Sequence, residues 1–190
     1  MGFFDELPAP EPEPEPVRRH HPWEPPEAEF PGIVPMDTVV LGRTDQVAVA
    51  VTGISAFSAG MEIFLTARIR PSADRQDHLP GGPRDLAASR RSFRFGLQLA
   101  DGSKAVGRGG HRPDRDSEPG GPVLWLFAGG GGPHSFVSRW WAWPLPPKGP
   151  LEFVCEWPTF GIAESRAGLD AQLILDAAGR SVRLWPENDG

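Results

Sequence analysis

The residues of this 190-residue chain that could do chemistry are few, and each must be judged by the element that would hold it. Ser58 stands in Ala56-Phe57-Ser58-Ala59-Gly60, a variant of the small-x-Ser-x-Gly elbow of acyl-transfer enzymes. That elbow needs a strand before it and a helix after it. Residues 61–70 instead alternate Met61, Ile63, Leu65, Ala67 and Ile69 with mostly polar neighbours, which predicts a strand. His134 and Ser135 adjoin, but neighbours on a strand point to opposite faces and cannot act as base and nucleophile for each other. Glycines 129–132 have the backbone freedom to cradle an anion, yet no helix start follows and no Gly-Lys-Ser or Gly-Lys-Thr loop occurs. They read as a hairpin loop. Asp114, Asp116 and Glu118 alternate like the opening of a calcium loop, but Pro119 occupies the place of the sharp-turn glycine and no glutamate closes the loop. No paired-cysteine or His-Glu-x-x-His motif is present, and the histidines at 20, 21, 78, 111 and 134 show no ligand spacing. The expectation is no catalytic, cofactor-binding or metal-binding residues, and no cofactor.

Charge and composition narrow the class further. Residues 1–33 carry eight acids and two bases, which accounts for the whole net charge of −6; residues 34–190 are balanced at seventeen of each. A nucleic-acid binder needs a basic surplus, so no nucleic acid is expected as a partner. A local surplus of +4 over residues 68–94 suits an acidic partner, an anion or the chain's own acidic arm. The single cysteine, Cys155, allows no internal disulfide and fits a reducing compartment. The N-terminus lacks the basic and apolar regions of a secretory signal. The longest uncharged run, 119–138, is broken by prolines and glycines, so no membrane span is expected. A cytoplasmic location is the default.

Twenty-three glycines and 23 prolines exclude a helical bundle. Ten of the prolines fall within residues 1–35, where Pro8 to Pro16 alternate with Ala9, Glu11, Glu13 and Glu15. Such a stretch is stiff, extended and short of apolar surface. Residues 1–33 are therefore expected to form a disordered Pro/Glu-rich arm with Phe3 and Phe4 at its tip, leaving 34–190 as the folded domain. Period-two patterning then predicts strands at 47–52, 61–70, 93–99, 103–107, 122–128, 134–143, 151–157 and 161–168. Asp101-Gly102 suggests a two-residue hairpin that brings Val106 opposite Leu97. Leu173, Ile174, Ala177, Ala178 and Val182 share a helical stripe behind Asp170, a plausible cap, and predict one helix over 170–182. The fold class expected is mainly β: an antiparallel β-sandwich of about eight strands, Ig-like or jelly-roll-like, with one C-terminal α-helix.

The most distinctive stretch, 139–158, holds four of the seven tryptophans (Trp140, Trp141, Trp143, Trp157) and a Pro-rich link. It reads as two antiparallel strands of one hairpin. With the preceding body it resembles an uncharacterised family of β-sandwich proteins from high-GC, actinobacteria-type genomes, and the Arg, Ala, Gly and Pro usage agrees. No activity attaches to that family, so the resemblance implies no site residues. In the second strand Leu151, Phe153, Cys155 and Trp157 share the inward face. In the first, burying the Arg139 guanidinium unpaired is costly. Arg139 therefore faces outward, where Glu152 or Glu156 can pair with it, and Trp141 and Trp143 go with it, beside Val154. The helix at 170–182 is the nearest apolar cover for that aromatic face. A non-catalytic interaction or accessory module follows, with Phe3, Phe4, Arg139, Trp141, Trp143 and Val154 as its candidate surface and a protein as its partner. The alternative is an enzyme or small-ligand binder with a site built from loops 71–90 and 108–121 together with Trp125 and His134.

Overall fold

The computed structural model describes residues 21–71, 93–107, 118–132 and 134–185. The alternating segments become the strands of two antiparallel sheets packed face to face. The larger sheet is built from β2 (Gly32–Ile33), β3 (Val39–Arg43), β4 (Val47–Ala56), β5 (Met61–Ile69), β8 (Val123–Gly132) and β9 (Ser135–Trp143). Its order is β2-β4-β5-β9-β8, with β3 also on the edge of β4. The smaller sheet has the order β11-β10-β6-β7, from β6 (Arg94–Gln98), β7 (Lys104–Val106), β10 (Pro150–Trp157) and β11 (Ile162–Asp170). A two-stranded ribbon joins the terminal segments, β1 (Glu29–Phe30) to β12 (Val182–Arg183). Among the described residues there is one α-helix, α1, which spans Gln172–Ala178.

Side-chain alternation decides which face each strand buries. Val47, Val49 and Val51 point into the core. A bulge between Val51 and Gly53 then shifts the parity by one, so Ile54 and Ala56 take over. Met61, Ile63, Leu65 and Ala67 from β5, with Ser138, Trp140 and Ala142 from β9, extend the same buried layer. Phe95, Leu97, Leu151, Phe153, Cys155 and Trp157 answer from the smaller sheet, where Phe95 lies against both Trp140 and Phe153. Cys155 is a buried free thiol whose pKa is raised by that burial. Across one edge the Ser165 hydroxyl of β11 donates to the Leu41 carbonyl of β3, tying the sheets together.

Several expectations are corrected. The stretch 139–158 is not a hairpin: β9 pairs with β5 and β8, whereas β10 pairs with β6 and β11. The Pro-rich link crosses from one sheet to the other. The turn after β6 has three residues rather than two. Gly102 N–H donates to the Leu99 carbonyl and Gly102 takes a φ of 84°, the left-handed position of a three-residue hairpin loop. The extra residue places Ala105, not Val106, opposite Leu97. Glycines 129–132 continue β8 in register with residues 135–138 instead of forming a loop. Finally, residues 21–33 of the expected arm are packed: Trp23 is buried, and β1 and β2 pair with β12 and β4. Residues 1–20, Phe3 and Phe4 among them, lie outside the described residues.

The helix forms within the striped segment but is shorter than the expected 170–182, and its N-cap is Ala171 rather than Asp170, whose carboxylate accepts the Gln172 N–H at 2.9 Å. It closes an end of the sandwich, however, and does not cover the aromatic outer face. Ile174, Ala177 and Ala178 join the main core, and the chain approaches so closely at Gly32 that a Cβ there would lie 1.9 Å from the Ala177 carbonyl oxygen. Val182 falls in β12 and is exposed.

Candidate functional site

The outward face of the larger sheet carries the candidate residues that share one surface. Arg139, Trp141 and Trp143 point out from β9, as the parity argument required. Val154 does not join them. It lies on the outer face of the smaller sheet, opposite Gly96 and Arg166, because β9 and β10 belong to different sheets.

The aromatic end of this face is closed by the chain itself. Trp141 is fully buried in a second cluster with Trp125 and Phe57, against which Val123 and Trp143 pack. Phe57 meets the Trp141 ring edge-on at 5.5 Å between centroids, and Trp125 lies 6.2 Å away. The tight turn after β4 is possible because residue 60 is glycine: a Cβ would stand 2.5 Å from the Ala142 carbonyl oxygen and 2.7 Å from the Trp141 ring. A strap of residues 21–28 meets this cluster at the Trp23 carbonyl. Its first four residues form a turn in which Glu24 N–H donates to the His21 carbonyl at 2.9 Å, Pro22 supplies the fixed φ, and the His21 ring stacks on Trp23 at 4.6 Å. The Trp141 indole N–H donates to the Trp23 carbonyl at 2.9 Å. Trp125 Nε1 is also buried and has no acceptor among the described residues. An orphaned buried donor of this kind costs about 1–3 kcal/mol.

Glu29 fastens the far end of the strap. Its carboxylate accepts both the Ser58 amide and the Ser58 hydroxyl at 2.6 Å. Burial raises the Glu29 pKa, but hydrogen bonds from Ser181 and Ser58 and the charge of Arg183 outweigh it and hold the carboxyl below its ordinary value. Ser58 thus acts as a latch for the N-terminal segment.

Beyond the strap the same face is open. Arg139 stands opposite Phe64 of β5, with its guanidinium 5.8 Å from the Phe64 ring and 5.1 Å from the Phe127 ring. A bulge between Leu126 and Ala128 falls at Phe127. The partner of Arg139 is Glu62, at 2.7 Å, and not Glu152 or Glu156. Glu62 is nearly buried, so the pair is more than a solvated contact. Phe127 and Val137 are both 41 % exposed. The result is a surface of Phe, Val and Arg running on from a closed tryptophan cluster.

The smaller sheet's outer face has a different chemistry. A groove of about 260 Å³ runs along β6, with Gly96, Val106 and Val154 among its lining residues. The charges on this face pair with one another: Arg94 with Glu156 at 2.6 Å, and Arg166 with Glu152 at 3.0 Å and Glu164 at 3.1 Å. The loops of the alternative ligand site are described only at residue 71 and at 118–121, so that site lies largely outside the described residues. Among the described residues no group of three His, Cys, Asp or Glu is placed to hold a metal ion, and no helix is long and apolar enough to cross a membrane.

Sequence reasoning missed the strap, Glu62 and one further apolar feature. On the terminal ribbon Phe30 and Val182 stand opposite each other at 63 % and 57 % exposure, with Trp185 just beyond at 63 %. Two-residue strands leave no periodicity to detect; Trp23 among prolines was the available signal for the strap. No protein-family model, curated protein or solved structure matches this chain.

Proposed function

We propose that this protein is a non-catalytic interaction module that docks a protein partner on the outer face of its larger sheet. The observation that supports this reading is the open half of that face. Phe127, Val137 and Arg139 are presented together on a rigid sheet, with Phe64 beneath the guanidinium. Aromatic residues and arginine are the side chains that interfaces enrich and that carry most of their binding energy. An Arg already held by a buried Glu62 and two rings loses little rotamer freedom on docking.

The test is affinity capture from the native cell with the full chain. The partner should be retained by the wild type and by Val106→Ser, which alters the other sheet's face. It should be lost with Phe127→Ser and Val137→Ser, all four proteins melting at similar temperatures. Equal retention by the Phe127 and Val137 variants would overturn the assignment of the face.

A further inference from the structure

We infer that the free edge of β8 is a pairing site for a second copy of this chain: residues 128–132 of two molecules add to one another as antiparallel strands about a two-fold axis and join two six-stranded sheets into one. The contact is made by backbone at the rim of the sheet and is independent of the docking face.

The first observation is that this edge is left unguarded. Among the described residues β8 pairs with β9 alone, and residues 127–132 are all exposed. A long open edge is a template for another chain, and proteins blunt such edges with charge, proline, bulges or brevity. The other edges of the two sheets are blunted. β7 has three residues and carries Lys104; β11 carries Glu164, Arg166 and Asp170; β3 has five residues, a bulge and Arg43; β2 has two residues. Beyond its bulge at Phe127, β8 offers only Ala128 and four glycines.

The second observation is that the fold of one molecule accounts for only half of those glycines. A Cβ at Gly129 would stand 3.1 Å from the Phe136 ring, and one at Gly131 would stand 2.0 Å from the Ser135 carbonyl oxygen. At Gly130 and Gly132 a Cβ would meet nothing within 4 Å, and neither residue has a positive φ. Glycine weakens a strand, and it marks places where another backbone comes close.

The third observation names the occupant. A two-fold axis brings every charge near its own copy, and like charges facing each other across a strand pair destabilise it. The longest uncharged run of the chain, 119–138, contains this strand. A foreign strand would be selected by side chains that residues 129–132 do not have. Two identical strands are matched by symmetry and held by main-chain hydrogen bonds.

Sedimentation of the full chain over a concentration series tests this. Five paired residues make a small contact, so the wild type should pass from monomer to dimer with a Kd of about 10–100 µM. Gly130→Lys combined with Gly132→Lys puts charge on the edge at positions where one molecule has room for a side chain. That variant should stay monomeric and melt, when dilute, at the temperature of the dilute wild type. Val137→Ser, one strand in from the edge, should dimerise like the wild type. A wild type that stays monomeric up to about 1 mM, a dimer that survives both lysines, or one that Val137→Ser abolishes, overturns the inference. Amide exchange of the wild type decides the matter should the double-lysine chain fail to fold. Exchange within 129–132 that slows several-fold between dilute and concentrated protein supports the edge contact, and rates independent of concentration overturn it.

Discussion

The two outer faces of the sandwich solve the same problem in opposite ways. Each is the solvent side of an antiparallel sheet, where polar residues ordinarily alternate with the core. The smaller sheet follows that rule: Arg94, Gln98, Lys104, Glu152, Glu156 and Arg166 stand outward, and its charges are spent on one another. The larger sheet breaks it. Trp125, Trp141 and Trp143 point outward, and the chain packs Phe57 against them and caps the Trp141 indole N–H with the Trp23 carbonyl instead of leaving them to solvent. Large exposed aromatic patches mark interfaces or association hazards, so the face needs a cover of its own or a partner's. What remains uncovered is Phe127 and Val137 with Arg139.

The contrast should be visible in stability. Starting the chain at residue 34 removes Trp23, β1 and β2. The melting temperature should fall by about 10 °C or more, since each kcal/mol is worth about 2–4 °C in a chain of this size. A change of only a few degrees would show that the strap is an ornament, as the sequence alone suggested. Trp141→Ala should cost about 3–5 kcal/mol by chemical denaturation, the range for emptying a buried aromatic site. Val154→Ala, at the corresponding outward position of the other sheet, should cost less than about 1 kcal/mol. Similar costs for the two would erase the distinction between the faces. Arg139→Ala leaves nearly buried Glu62 without its counter-ion and should cost about 2 kcal/mol. Arg166→Ala, whose ion pairs are exposed, should leave the denaturation midpoint unchanged.

A further effect is titratable. Because the Glu29 pKa is lower in the folded chain than in the unfolded one, its stabilisation is fully present above the ordinary value of 4.5 and is lost as pH falls through the folded value. Stability should therefore decline below about pH 4.5 in the wild type. Glu29→Gln should flatten that part of the profile and be less stable at neutral pH. An unchanged acid limb would mean that the strap is fastened elsewhere.

Much of this was legible in the residues. Strict alternation in 61–69 and 151–157 identified both the strands and their buried faces. One costly alternative, an unpaired buried guanidinium, was enough to orient β9 correctly and put Trp140 in the core. Partnership was not legible. A Pro-rich link such as 144–149 joins two strands equally well within a sheet or between sheets, so the pairing of Arg139 with Glu62 had to come from register. The helix was found by its stripe, but what a stripe covers is decided by topology. The strap was hidden because proline density signals extended chain whether or not that chain packs. Trp23 was the residue that could not be left in water cheaply.

The most direct test of the closed aromatic face is indole hydrogen exchange. Seven tryptophans give seven indole N–H signals, and Trp141→Phe identifies one of them by its loss. The Trp141 signal should exchange slowly in the wild type, protected by its bond to the Trp23 carbonyl, and at least tenfold faster in the chain starting at residue 34, which lacks that carbonyl, while the core indole of Trp140, bonded to Ser138, keeps its rate. A Trp141 indole that exchanges as fast in the wild type as in the shortened chain would show that the strap does not close the face.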